Sequence, residues 1–324
     1  MSAPHWPDIP YARWKPTGDS LHMWLQIAGK FRLAATPWMI HSWHAAMYPT
    51  ARGFTTGLVP GRALDHEVVF DLHDHRVSLL SSDGSTRSLA LEPMSVAAFW
   101  EGFTGLVAQV EPGLRLHGSP NEVPDPVPFA RQTGAGTYDP KAAHDFWQAV
   151  MRADRVFRRF RTGFLGKSSP SHLFWGSLDL AVTRFSGRTA PLHPGGIPAL
   201  PDAVTREAYS HEVSSAGFWP GSGDGGGGVD EPAFYSYAYP APDGFAQADP
   251  GHPDAYWHSD LGEFILPYAA VATSDDPEGA LLGFLQATYG AAADLGGWDR
   301  DRLDAPLGRP GVPRPVQDRG EGCG

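Results

Sequence analysis

The string PDIPYAR at residues 7–13 has an echo: Pro124 is followed by DPVPFAR at residues 125–131, and the two Ala-Arg pairs stand 118 residues apart. A chain that repeats itself folds either as two alike units or as one unit built from similar halves, which restricts its architecture more than any motif it carries. Each copy is followed by a helix signal. Asp19 can cap a segment with Leu21, Trp24, Leu25, Ala28 and Phe31 on one face; Asp139-Pro140 supplies a cap and a first-turn proline ahead of Phe146, Val150, Phe157, Phe160 and Phe164.

The helices lead into extended runs, Trp38–Tyr48 and His172–Phe185, which align so that Ser42 and His44 fall on Ser177 and Asp179. Further strands are expected at Gly53–Val59, His66–Leu72, His75–Ser81 and Thr86–Leu91, with Asp83-Gly84 as a hairpin turn, and at Glu207–Trp219, Ala233–Tyr239 and Glu263–Ala272. Helices over Ser95–Val110 and Asp276–Ala293 close the two copies. The expectation is an α+β fold, a tandem duplication of a strand-helix-antiparallel-sheet-helix unit. The first half covers residues 1–118 and the second 119–300, with insertions at 187–206, 221–232 and 240–262. The arrangement is similar to the TATA-box-binding-protein-like and helix-grip classes, an analogy of fold that carries no function. Gly221–Asp230 reads as a flexible loop and residues 301–324 as a disordered tail.

Composition removes several function classes. Hydrophobic residues make up 42% and charged residues 19%, so the chain can bury a core. A net charge of −11 disfavours nucleic acid as a partner. The single cysteine, Cys323, excludes an intrachain disulfide framework, a Cys-ligated zinc and a buried thiol nucleophile. No apolar run reaches spanning length, and the first 15 residues lack a signal core, so a cytoplasmic, soluble protein without a membrane partner is expected. There is no phosphate loop, GxGxxG turn, HExxH or GxSxG, so no nucleotide cofactor is indicated.

Trp6–Trp14, Thr36–His44, Phe174–Arg188, His193–Pro220 and Pro232–Pro240 resemble an uncharacterised bacterial domain-of-unknown-function family, number 5996. The resemblance covers residues 5–300 and rests most on the HPGG and YSHEVSSAGFWPG strings. It implies one folded unit and a bacterial setting, and no activity, substrate or catalytic residue.

Candidate chemistry gathers in the second half. On the run His172–Phe185, Trp175, Ser177, Asp179 and Thr183 share one face, opposite Phe174, Leu178, Leu180 and Val182. Tyr209 alternates with His211, and Tyr235 with Tyr237. If these strands pair, Asp179 orients His211 beside an aromatic wall of Trp175, Tyr235 and Tyr237. The loop Thr189–Asp202, with His193-Pro194-Gly195-Gly196, leads into the second strand and can cover that surface. His193 and His211 with one carboxylate (Asp179, Glu212 or Glu263) would suit a divalent metal. Elsewhere, His73-Asp74-His75 reads as a hairpin turn, and His41 and His44 point to opposite faces of a strand. Arg152, Arg155, Arg158, Arg159 and Arg161 form the polar face of a helix.

Three readings of function stand side by side. One is a small-molecule-binding protein with a pocket lined by Trp175, Ser177, Tyr209, Tyr235 and Tyr237. Another is a metal-assisted enzyme using Asp179, His193 and His211. The third is a structural or interaction module without a pocket.

Overall fold

The computed structural model describes residues 5–221 and 229–314; residues 222–228 of the expected Gly-rich loop and residues 315–324 of the expected tail lie outside the described residues. The fold is α+β. Helix α1 (Tyr11–Ala35) leads into a five-stranded antiparallel meander, β1 (Tyr48–Thr50), β2 (Gly53–Val59), β3 (His66–Asp71), β4 (Arg76–Ser81) and β5 (Thr86–Ala90), and then into α2 (Val96–Val110). Helix α3 (Pro140–Arg161) opens the second half. It is followed by β6 (His172–Phe174), β7 (Asp179–Thr189), α4 (Asp202–Ala208), β8 (His211–Trp219), β9 (Ala233–Tyr239), β10 (Tyr256–His258), β11 (Glu263–Pro267), α5 (Tyr268–Ala272), α6 (Pro277–Leu295) and α7 (Arg300–Leu303). The second sheet runs β10-β11-β9-β8-β7-β6, all antiparallel.

Both stretches run from a long helix through an antiparallel sheet to a later helix, but the second carries α4 between β7 and β8 and sets β11, not β10, beside β9. The two sheets meet edge to edge, where Met47 N–H donates to Leu173 O at 2.9 Å and Leu173 N–H to Met47 O at 2.7 Å. Helices α1, α2, α3 and α6 pack on one another and against the sheets. Fully buried Trp24, Phe31, Phe54, Phe99, Phe146 and Phe157 belong to one core that spans both halves. Helix starts follow local chemistry: Ser95, Asp139 and Asp276 each accept a backbone N–H at the head of α2, α3 and α6. No helix among the described residues is long and apolar enough to cross a membrane.

Several expected elements are corrected. Helix α1 begins at Tyr11 behind Pro10; Asp19 lies inside it, paired with Lys15 at 2.9 Å. Trp38–Tyr48 is not a strand but a 3₁₀ turn at Ile40–Ser42, because His41 (φ 64°) and Ser42 (φ 53°) are left-handed and His44 Nδ1 accepts from the backbone N–H of Met39. The run His172–Phe185 is broken at residues 175–178, with Leu178 at φ 58°. Ser42 and His44 thus precede the first strand of their half, whereas Ser177 and Asp179 follow the first strand of theirs, so the expected alignment of the two pairs does not hold. Glu207 and Tyr209 belong to the end of α4, and the chain turns helical after Pro267. The expected tail is ordered in its first part: Leu303 O accepts from Leu165 N–H at 2.7 Å, and Gly308 N–H donates to Thr162 Oγ1 at 2.9 Å. His73 and Asp74 do form a turn, both backbone N–H groups donating to Asp71 Oδ1 at 3.0 Å.

Candidate functional site

Side chains alternate across a strand, so register decides what shares a face. In the second sheet Thr183 pairs with Ser215 and Ser215 with Tyr237; Ala181 pairs with Gly217 and Gly217 with Tyr235. Glu263 stands one residue before Phe264, which pairs with Ser236, so the antiparallel register puts it beside Tyr237. The alternate residues face the helices: Arg184 lies over the rings of Phe160 in α3 and Tyr289 in α6. The polar set therefore occupies the face away from the helices. That face is only partly open to solvent, because residues 190–208 fold across it. Ile197, Leu200, Val204, Thr205 and Ala208 form a roof over a cavity of about 300 Å³ whose floor is the sheet.

The cavity is lined by three carboxyls and three phenols. Asp179, 7% exposed, accepts from Ser177 Oγ at 2.8 Å and from the Tyr235 hydroxyl. Tyr235 reaches it by lying across Gly217, where any Cβ would overlap the phenol ring. The Tyr209 and Tyr237 hydroxyls are 2.8 Å apart. Glu122 enters from the segment before α3, its backbone left-handed at φ 57°, and Glu263 enters from β11. Burial disfavours the ionised forms. It pushes Glu263 up to about 8, helped by the charge of Asp179, and Glu122 up to about 7, again with Asp179 behind it and Ser177 and Lys30 opposing. Burial also raises Asp179 against its hydrogen bonds from Tyr235 and Ser177, and raises Tyr237 to about 12. His41, from the 3₁₀ turn of the first half, lines the same cavity and donates Nδ1–H to Ala208 O at 3.1 Å. That acceptor fixes its tautomer, and burial lowers its pKa.

A second cavity of about 560 Å³ shares Ser42, Glu122, Phe174, Leu200 and Val204 with the first and extends toward α1. Its walls include Leu33, Trp38, Trp175 and Lys30. Trp175 is fixed by donating Nε1–H to Ala45 O at 2.7 Å, and the Lys30 ammonium lies 5.0 Å from its ring centroid. Lys30 also donates to Asn121 Oδ1, and burial pushes its pKa down to about 8. Asn121 links α1 to the roof by accepting Lys30 and donating Nδ2–H to Ala199 O at 2.7 Å.

The structure brings Ser177, Asp179, Tyr209, Tyr235 and Tyr237 around one cavity, and sets Trp175 on the wall of its neighbour. It does not bring in the histidines. Asp179 and His211 stand at opposite ends of the β7–β8 pair, since Leu180 pairs with Phe218 and Thr189 with His211. At about 3.3 Å per residue they are roughly 30 Å apart. His211 instead borders a small cavity with Trp43, Lys167 and Phe185. His193 stacks on Tyr209 at 4.7 Å and accepts Gly195 N–H, backing the phenol from outside. Glu212 is paired with Arg188. The trio His193, His211 and Asp179 is therefore not a metal centre, and no three His, Cys, Asp or Glu side chains among the described residues converge to hold one. In the arginine cluster, Arg158 pairs with Asp154 at 2.7 Å and Arg155 with Glu278 at 3.1 Å.

Glu122, Lys30, Asn121 and His41 were not legible as site residues, because each reaches the cavity from a segment remote in sequence. The available signal was Glu122 itself, an acid in the Pro-rich stretch ahead of α3, and Lys30, one of only four lysines, on the apolar face of a helix. No characterised protein and no solved structure matches the chain at a significant level. A family model described as "Family of unknown function (DUF5996)" matches residues 6–305, nearly the whole length, and on that match the chain belongs to this family.

Proposed function

We propose that this protein binds a small molecule in the roofed cavity of its second half, with Ser177, Asp179, Tyr209, Tyr235 and Tyr237 as ligand-facing groups and Trp175 on the adjoining wall. One observation carries the reading: polar side chains from four strands converge on the sheet face that the helices leave free, and an insertion closes over them around a space of about 300 Å³. A surface meant only for solvation needs no roof, and a surface meant only for packing would not gather three carboxyls. The cavity disfavours the reading as a module without a pocket. We take the protein to be a bacterial, cytoplasmic one with duplicated halves; the recurring element order supports the duplication.

Ala181, at 2% exposure, lies on the cavity floor, so Ala181→Phe fills the space while every polar side chain of the cavity is kept. A fragment library screened by ligand-observed NMR should yield binders whose signals recover in Ala181→Phe, while circular dichroism and thermal melting stay close to wild type. Binders that bind both proteins equally, or no binders at all, would overturn the reading.

A further inference from the structure

Building on that reading, we infer that the ligand is an organic cation: an amine with a short apolar body, its ammonium held among Glu263, Asp179 and the tyrosines and its body directed along the apolar wall toward Trp175.

The cavity presents acidic groups and, in its lining, no lysine or arginine among the described residues to balance them: Glu122, Asp179 and Glu263 line it. Three hydroxyl donors are already committed: Tyr235 and Ser177 donate to Asp179, and one of Tyr209 and Tyr237 donates to the other. Glu263 has neither hydrogen bond nor ion pair among the described residues. Thr205 adds an independent sign. It is 2% exposed, borders the cavity, and its Oγ1 has no hydrogen-bond partner among the described residues. Such a buried hydroxyl is costly unless something completes it. A ligand entering this space meets oxygen acceptors and aromatic faces, the surroundings that recognise an ammonium. An anion would face three carboxyls, and a neutral molecule would leave Glu263 unpaired.

A bare metal ion fits less well, since no three ligating side chains among the described residues converge. The shape argues for an apolar body. Phe174, Leu200 and Val204 form a continuous wall from the first cavity into the second, whose far side carries Leu33 and Trp175. Lys30 lies on that far side, so the cation end belongs in the chamber away from it.

Protonation supplies a signature. The groups facing Glu263 are Asp179 from β7, Tyr235 and Tyr237 from β9, Tyr209 from the end of α4, His41 from the 3₁₀ turn and Glu122, with Lys30 beyond Glu122. Burial holds Glu263 largely protonated and Glu122 partly protonated near neutral pH in the free protein. An ammonium favours their ionised forms, so binding near pH 7.5 should release protons.

The test uses isothermal titration calorimetry of the full chain with three probes of one shape: 4-phenylbutylamine, 4-phenylbutan-1-ol and 4-phenylbutanoate. Titrations at pH 7.5 in two buffers of different ionisation enthalpy count the protons. The amine should bind at least tenfold more tightly than the other two, with protons released to buffer. Glu263→Gln keeps the side-chain shape, and should weaken the amine at least tenfold without lowering the melting temperature. If the alcohol or the carboxylate binds as well as the amine, and Ala181→Phe abolishes that binding, the cavity stands and the cation is overturned. If proton release is absent, or Glu263→Gln binds the amine as the wild type does, the inference also fails. If no probe binds, the cavity reading falls with it.

Discussion

Glu122 Oε1 occupies the space in which a side chain at position 176 would begin: a Cβ built on Gly176 would overlap the carboxylate. Gly176 has no left-handed backbone to satisfy, so the absent side chain serves closeness of approach. It lets an acid from the segment between the halves stand against the turn that carries Ser177 into β7. The same turn is fixed to α1, where Gln26 Nε2 donates to Gly176 O at 3.1 Å.

Gly176→Ala should therefore displace Glu122 and cost about 1–3 kcal/mol, the usual range for crowding a packed site. Urea unfolding measures the loss. Glu122→Ala in the same chain should restore part of it, giving a coupling energy between the two positions. Additive effects in the double variant would mean that the carboxylate moves aside freely.

Stability should fall as pH rises through neutrality. Glu122 and Glu263 hold protons to about 7 and about 8 in the fold, whereas in the unfolded chain a glutamate ionises near 4.3. Between those values the native state binds more protons than the unfolded state, so raising the pH favours unfolding, and the loss is complete only above the folded pKa. The buried histidines His41 and His172 are shifted down, His172 to about 3, and pull the opposite way below about pH 6.5. Lys30, lowered to about 8, restores stability between about pH 8 and 10.4. The clean window is pH 7 to 8. Urea unfolding should show a loss of roughly 1 kcal/mol there, flattened in the double variant Glu122→Gln, Glu263→Gln. A wild type that gains stability over this window would mean that the two acids are ionised in the fold.

Arg184 is 1% exposed and has no carboxylate in ion-pair contact among the described residues. Its Nη2 donates to Phe160 O, its guanidinium lies 3.5 Å from the Phe160 ring centroid and 4.1 Å from that of Tyr289, and Nε and Nη1 have no hydrogen-bond partner among the described residues. Burial pushes its pKa down to about 10. Arg184→Met keeps the contact with the rings and removes a poorly compensated charge, so it should be neutral or stabilising by up to about 2 kcal/mol. Arg184→Ala leaves a void and should cost about 2–4 kcal/mol. Thermal melts of the two variants separate charge from volume. Equal losses in both would show that the guanidinium itself stabilises the fold.

The residues alone determined much of the scaffold. Strands β2, β4 and β9 and the helices after Ser95, Asp139 and Asp276 follow from alternation, capping and proline placement, all of which act within a few residues. Period-two alternation likewise put Tyr235 with Tyr237, because neighbours on one strand share a face whatever the strand pairs with, whereas Ser177 meets Asp179 from the turn that interrupts the expected strand. What alternation leaves open is register. Asp179 and His211 both sit at the start of a strand, and antiparallel pairing sends two starts to opposite ends, so the pair read from sequence was separated and Asp179 met Tyr235 instead. Left-handed backbone at His41 and Ser42 removed a strand that hydrophobicity favoured, through hydrogen bonds specific to that turn. Only the tertiary structure brought Lys30, His41, Glu122 and Glu263 to one pair of cavities, since they come from a helix, a turn, an interhalf segment and a strand. Their shifted protonation arises from enclosure by chain far away in sequence, and no local pattern encodes that.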